Sequence, residues 1–136
     1  MSTRSKARKA ALDLLYEGDI RKTSAVDLLH TRVTDLEYVI RDFTKELVDG
    51  VDLHKRKLDE LITTYSQGWD MDRMPVIDRN ILRLAIFELL WSSDVPASVA
   101  ISEALELAQT LSTEESSKYI NGVLSKILEI KPDLVL

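Results

Sequence analysis

The sequence contains no cysteine, so disulfides and thiolate metal sites are excluded. It has only two histidines, His30 and His54, and neither sits in a cluster that would suit a transition metal. No metal and no cofactor is therefore expected. Four glycines and three prolines are too few to punctuate an all-β chain of 136 residues. No apolar run approaches the roughly 20 residues of a membrane span. The charged N-terminus is not followed by the apolar stretch of a signal peptide, so a cytoplasmic protein without membrane contact is expected. A glycine-rich phosphate loop and a His-Glu-x-x-His motif are both missing. Paired carboxylates such as Glu114 and Glu115 are explained by a helix N-terminus. The chain thus shows no catalytic residues and does not read as an enzyme.

What is abundant is Leu, Ala, Glu, Lys and Arg, all good helix formers. The length suits one domain over residues 1–136, or two small lobes that share one core. The formal net charge is −5, unevenly spread. Arg4, Lys6, Arg8 and Lys9 crowd the first nine residues, and all 23 acidic side chains come after them. An acidic body repels phosphate, so nucleic acid can bind only at a local basic patch. The same body suits a basic protein partner.

The periodicity predicts an all-α fold of about six to seven helices. The first runs from about Thr3 to Glu17, with Ala7, Ala11, Leu14, Leu15 and Gly18 on one face. A short helix follows near Ser24–His30. Leu36, Ile40, Phe43, Leu47, Val51, His54, Leu58, Leu61 and Tyr65 then repeat every three or four residues, enough for about 45 Å of straight helix. Gly50 marks a bend or a close helix contact in it, and His54 reads as a packed histidine. A connection at residues 67–72 leads to Pro75 in the first turn of a helix reaching Trp91. That helix is apolar nearly all round and should be central. Residues 92–96 break the pattern. Another helix covers about Ser98–Thr110, and Ser112-Thr113-Glu114-Glu115 resembles a capping box. The last helix contains Asn121-Gly122, where close packing is expected to offset the glycine, and Lys131-Pro132 ends it.

The informative combination is basic plus aromatic. Single-stranded RNA is held by cations on phosphates and by rings on bases. Arg4, Lys6, Arg8 and Lys9 offer the first; Tyr16, Lys118 and Tyr119 offer both. Tyr16 and Tyr119 lie beside apolar positions and read equally as core.

Four segments in order resemble the NusB family over about residues 4–128: Lys6 to Tyr16, Asp78 to Leu89, Asp94-Val95-Pro96 with Ile101-Ser102-Glu103-Ala104 and Leu107-Ala108, and Lys118 to Leu124. The resemblance implies two small helical bundles. It implies binding to the boxA segment of nascent ribosomal RNA leaders with the partner NusE, a basic protein of the small ribosomal subunit, in the RNA polymerase antitermination complex. It assigns the RNA surface to Arg4, Lys6, Arg8, Lys118 and Tyr119, so the start of the last helix should pack near the N-terminus of the first. Ser5 and Lys6 interrupt the arginine run common in the family, and Tyr119 replaces a common Phe.

Two other readings stay open. NusB-like domains also occur in RNA cytosine methyltransferases, of which this chain would be a detached RNA-binding part. A helical interaction scaffold, including a homodimer, is the other. Finally, Arg83, Glu88 and Glu103 are charges in apolar helical stretches. Buried charge requires a partner, so at least one of the carboxylates should pair with an arginine on another helix.

Overall fold

Six α-helices and two short 3-10 turns form among residues 2–35 and 39–136, which the computed structural model describes. Helix α1 spans Thr3–Arg21, one turn longer than the periodicity predicts. Ser2 caps it, its hydroxyl accepting from the Ser5 amide at 3.0 Å. Lys22 ends it in the left-handed region (φ 55°) and donates its amide to the Gly18 carbonyl. Helix α2 spans Ala25–Asp35.

Helix α3 is Asp42–Tyr65. The long periodic segment is therefore not one helix. Leu36 lies outside the described residues, and Arg41 is extended (φ −66°, ψ 145°). Adjacent β-branched Val39 and Ile40 disfavour helix, and Asp42 puts a favourable negative charge in the first turn of α3.

Helix α4 spans Val76–Trp91, with Pro75 as its cap rather than in its first turn. Helix α5 is Ala97–Leu111 and helix α6 is Glu114–Ile130. The cap of α6 falls one residue later than the sequence suggests: Thr113 accepts from the Ser116 amide at 3.0 Å. Ser116, not Glu115, thus occupies the third helical position. The 3-10 turns are Met71–Arg73 and Lys131–Asp133.

Helices α1–α3 pack together, as do α4–α6, and α4 also packs on α1 and α3. Every residue of α4 from Ile81 to Leu90 is buried. Its apolar members join both groups into one continuous core with Leu12, Leu47, Leu58, Ile120 and Leu124. Each such side chain contributes roughly 1.5–3 kcal/mol by leaving water.

Gly50 makes room on α3 for a side chain of α4: a Cβ there would lie 2.1 Å from the Phe87 ring. Gly122 differs from expectation. It is exposed inside α6, and nothing lies within 4 Å of the place a Cβ would occupy. No packing contact among the described residues offsets its helix penalty of about 1 kcal/mol. His54 is half-buried and stacks on Trp91 at 3.9 Å.

Candidate nucleic-acid interface

The four basic residues at the start of α1 have four different environments. Arg8 is inside the protein, 3 % exposed. Its Nε and Nη2 donate to the two carboxylate oxygens of Glu88 at 2.7 and 2.9 Å. A second carboxylate, Glu103 on α5, is 3.4 Å from Nη1. Both acidic residues suspected from the sequence therefore pair with an arginine on another helix. Burial pushes the Glu88 carboxyl above its ordinary range, against the pull of Arg8. Ser5, also buried, donates to Glu103 Oε1 at 2.5 Å. Arg8, expected as a phosphate contact, is thus placed inside the protein: the apolar stripe of α1 is wider than Ala7, Ala11 and Leu14 suggest, and it carries Arg8 inward.

Arg4 is exposed. Its guanidinium lies 2.8 Å from Asp94 and stacks 4.5 Å above the Phe43 ring. Lys9 donates to both carboxylate oxygens of Asp13 one turn on, each at 2.8 Å. Lys6 is exposed and has no carboxylate within 4 Å among the described residues. Along α1, Tyr16 lies about 10 Å beyond Lys9 and is 40 % exposed, so it belongs to the surface.

Between α1 and residues 39–41 runs a groove of about 510 Å³ lined by Lys6, Lys9, Arg32 and Arg41. Asp13 and Glu17 also line it. Glu17 is held by Arg32 and by Arg21, and their hydrogen bonds keep its carboxyl below the usual range.

Lys118 and Tyr119 stand elsewhere. Ser116 Oγ donates to Asp78 Oδ2 at 2.6 Å, which pins the start of α6 to the first turn of α4. Arg8 is fixed ten residues later on α4, about 15 Å along its axis. The Lys-Tyr pair therefore does not pack at the N-terminus of α1. It faces the turn before α4, where the Tyr119 hydroxyl donates to the Gln67 carbonyl at 2.9 Å. Trp69 meets the Tyr119 ring edge to face, 4.4 Å between centroids. Lys118 is exposed and Tyr119 half-buried. Sequence reasoning missed Trp69 and Phe43. A tryptophan beside Gly68 in a polar connection was the available signal for the first; the periodic stripe concealed the second.

At this same end of the molecule Asp19 on α1 accepts from Arg79 at 2.7 Å twice, from Asn80 at 2.9 Å and from Arg83 at 3.0 Å. Arg83 also donates to Asp59 on α3 at 2.7 Å. Burial alone would raise the Asp19 carboxyl. The hydrogen bonds from Arg79 and Asn80 and the charge of Arg83 outweigh it and hold the group well below the carboxylate range.

No group of three or more His, Asp or Glu among the described residues is arranged to hold a metal ion. No helix among them is long and apolar enough to cross a membrane.

The NusB family model matches residues 5–129. The chain belongs to the NusB family. It is 48 % identical to the transcription antitermination protein NusB of Arthrobacter sp. strain FB24, over 99 % of both chains. It is 49 % identical to that of Nocardioides sp., over 98 % of this chain and 99 % of the relative. Among solved structures, T. maritima NusB superposes with a TM-score of 0.83 at 31 % identity, covering 98 % of this chain and 99 % of that one. A structure of the antitermination factors NusB and NusE in complex with dsRNA gives 0.80 at 28 % identity, covering 93 % and 96 %. The NusB likeness thus extends over the whole helical architecture, including the α4 helix on which both surface regions are hung.

Proposed function

We propose that the protein is a non-enzymatic antitermination factor of the cytoplasm. It binds the boxA segment of nascent ribosomal RNA leaders together with NusE and acts within the RNA polymerase antitermination complex. The observation that carries this reading is the near-full-length likeness to antitermination proteins whose fold has been solved with NusE and RNA. The local chemistry supports it. Arg4, Lys6, Lys9 and Tyr16 offer cations and a ring along α1, and Lys118 with Tyr119 offers the same pair at the start of α6. An RNA chain running between them satisfies both regions without a single continuous basic patch. Arg4 and Lys9 exchange Asp94 and Asp13 for phosphate, while Lys6 and Lys118 have no ion-pair carboxylate to leave among the described residues. The acidic remainder of the surface suits NusE as a basic partner.

The test is a titration with a boxA-like RNA and a scrambled control, with and without NusE, at several salt concentrations. Single-stranded binding weakens with a log–log slope of about −0.7 per neutralised phosphate. Lys6→Ala and Lys118→Ala should each flatten the slope by about that amount. Equal affinity for the boxA-like and scrambled RNAs, with NusE present, overturns the reading.

A further inference from the structure

The end of α1, the start of α2 and the middle of α3 enclose a cavity of about 460 Å³, with Asn80 and Arg83 of α4 as its buried floor. It shares no residue with the basic stretch of α1, with Tyr16 or with the Lys118-Tyr119 pair. Its shape depends on Gly18. A Cβ there would lie 2.7 Å from the Thr23 carbonyl oxygen and 3.2 Å from the Ala25 amide nitrogen. Glycine lets α2 begin this close to α1, and Ser24 and Ala25 line the space as a result.

Hydrogen-bond donors converge on it. Ala25 opens α2, and its amide has no acceptor among the described residues. Ser24 Oγ accepts from the Asp27 amide at 3.3 Å, which leaves the hydroxyl proton to donate. Lys22 and Lys55 stand on the walls, and neither has a carboxylate within 4 Å among the described residues. Arg83, 7 % exposed, gives its Nε proton and one Nη2 proton to Asp59 and its Nη1 protons to Asp19 and Asn80. One Nη2 proton is left over. The acidic residues of the lining do not cancel this charge. Asp19 is already held by Arg79, Asn80 and Arg83. Asp52 is exposed and free to turn to water.

Lys22 occupies its place at a cost. It is the one non-glycine residue with positive φ among the described residues, at 55°, and it ends a helix where glycine is usual. Arg21 already supplies the cation that the C-terminal dipole of α1 favours. A backbone better suited to glycine thus holds an ammonium group at the cavity.

We propose that this cavity binds a phosphate group. A phosphate has oxygen atoms enough to take the Ala25 amide, the Ser24 hydroxyl and both ammonium groups together. The volume also admits part of the molecule that carries it. That molecule is a small phosphate ester or a nucleic-acid strand, since both present the same group. The inference does not depend on the RNA-binding reading above.

The test follows the Ser24 and Ala25 amides by 15N–1H NMR at constant ionic strength. Inorganic phosphate, a nucleoside 5′-monophosphate and a boxA-like RNA are titrated separately, with chloride as the control. Phosphate should shift both amides and saturate, and chloride should not. Saturation at the lowest concentration by the monophosphate assigns the site to a small ester, and by the RNA to a strand. Lys22→Gly and Lys55→Ala should each weaken phosphate binding about tenfold. Arg56→Ala, an exposed cation of α3 outside the cavity, should bind as wild type does. Without phosphate, Lys22→Gly should melt higher than wild type, because glycine relaxes the left-handed turn; its lost binding is then not lost folding. Amides that stay still in phosphate, or that move equally in chloride, overturn the proposal. So does full phosphate affinity in both lysine variants.

Discussion

The two ends of α4 solve one problem with opposite polarity. Near its C-terminal end, α1 supplies the cation and α4 the carboxylate: Arg8 meets Glu88. Near its N-terminal end, α1 supplies the carboxylate and α4 the cations: Asp19 meets Arg79 and Arg83. The side chains of the first pair are 3 % and 2 % exposed, against 17–18 % for Asp19 and Arg79. A charge pair sealed in the core is costly to break, because the survivor is stranded without water. A pair at the edge can be resolvated. The comparison teaches that two α1–α4 ion pairs, equivalent in kind, differ in what they do. One fixes the fold and takes a basic residue away from the surface; the other sits where solvent and pH reach it.

The largest expected effect breaks the buried end. Arg8→Ala should destabilise the protein by about 3–5 kcal/mol, read by urea unfolding. Arg8→Met combined with Glu88→Leu should recover most of that loss, since matched apolar groups need no partner. The recovered double variant should keep the salt slope of RNA binding. A slope lowered by one phosphate would return Arg8 to the RNA surface.

At the edge, Asp19→Asn should cost about 1.5–3 kcal/mol at neutral pH, the range for hydrogen bonds to a charged group. The sign of its pH dependence follows from the lowered carboxyl. Its ionised form is favoured by folding, so this stabilisation is complete above the unfolded carboxyl range near 4 and is lost as pH falls below it. The gap between wild type and Asp19→Asn should therefore narrow from about pH 5 towards pH 2. A constant gap would mean that the carboxylate acts by shape and not by charge.

Gly122→Ala sharpens the comparison from outside both ends. With open space around it, the variant should gain about 0.5–1 kcal/mol, visible as a higher melting temperature. If RNA or NusE affinity falls at the same time, a partner approaches that face closely. The smallest effect belongs to the exposed pair beside the buried one. Asp94→Asn should leave the melting temperature unchanged within error, because both charges of that pair are already in water. It should tighten RNA binding slightly, because Arg4 no longer has to leave a carboxylate for a phosphate.

How much could be read in advance varies by element. Helices α4 and α5 were legible to within a residue or two, because a nearly all-apolar run bounded by prolines leaves few alternatives. The start of α3 was not, since Ile40 and Phe43 keep a helical spacing while the backbone at Arg41 is extended. Both residues still pack on the core from there. Of the candidate site, Lys118 lies on the surface, and Tyr16, which read equally as core, lies there too, whereas the burial of Arg8 and the position of Tyr119 were not foreseen. Spacing along one helix says which residues share a face. It does not say which helix covers that face.

The sequence by itself determined that this protein is helical, that its central helix is buried, and which family it belongs to. Those properties depend on local propensity, on a period of 3.6 residues and on short ordered motifs, all carried by neighbours in the chain. Only the tertiary structure decided which cations are spent inside the molecule. The partners of Arg8, Arg4 and Asp19 lie 60 to 95 residues away. Only the tertiary structure, too, set Trp69 against Tyr119. A charge is available or neutralised according to what stands within a few ångströms of it, and that distance exists only after the helices have packed.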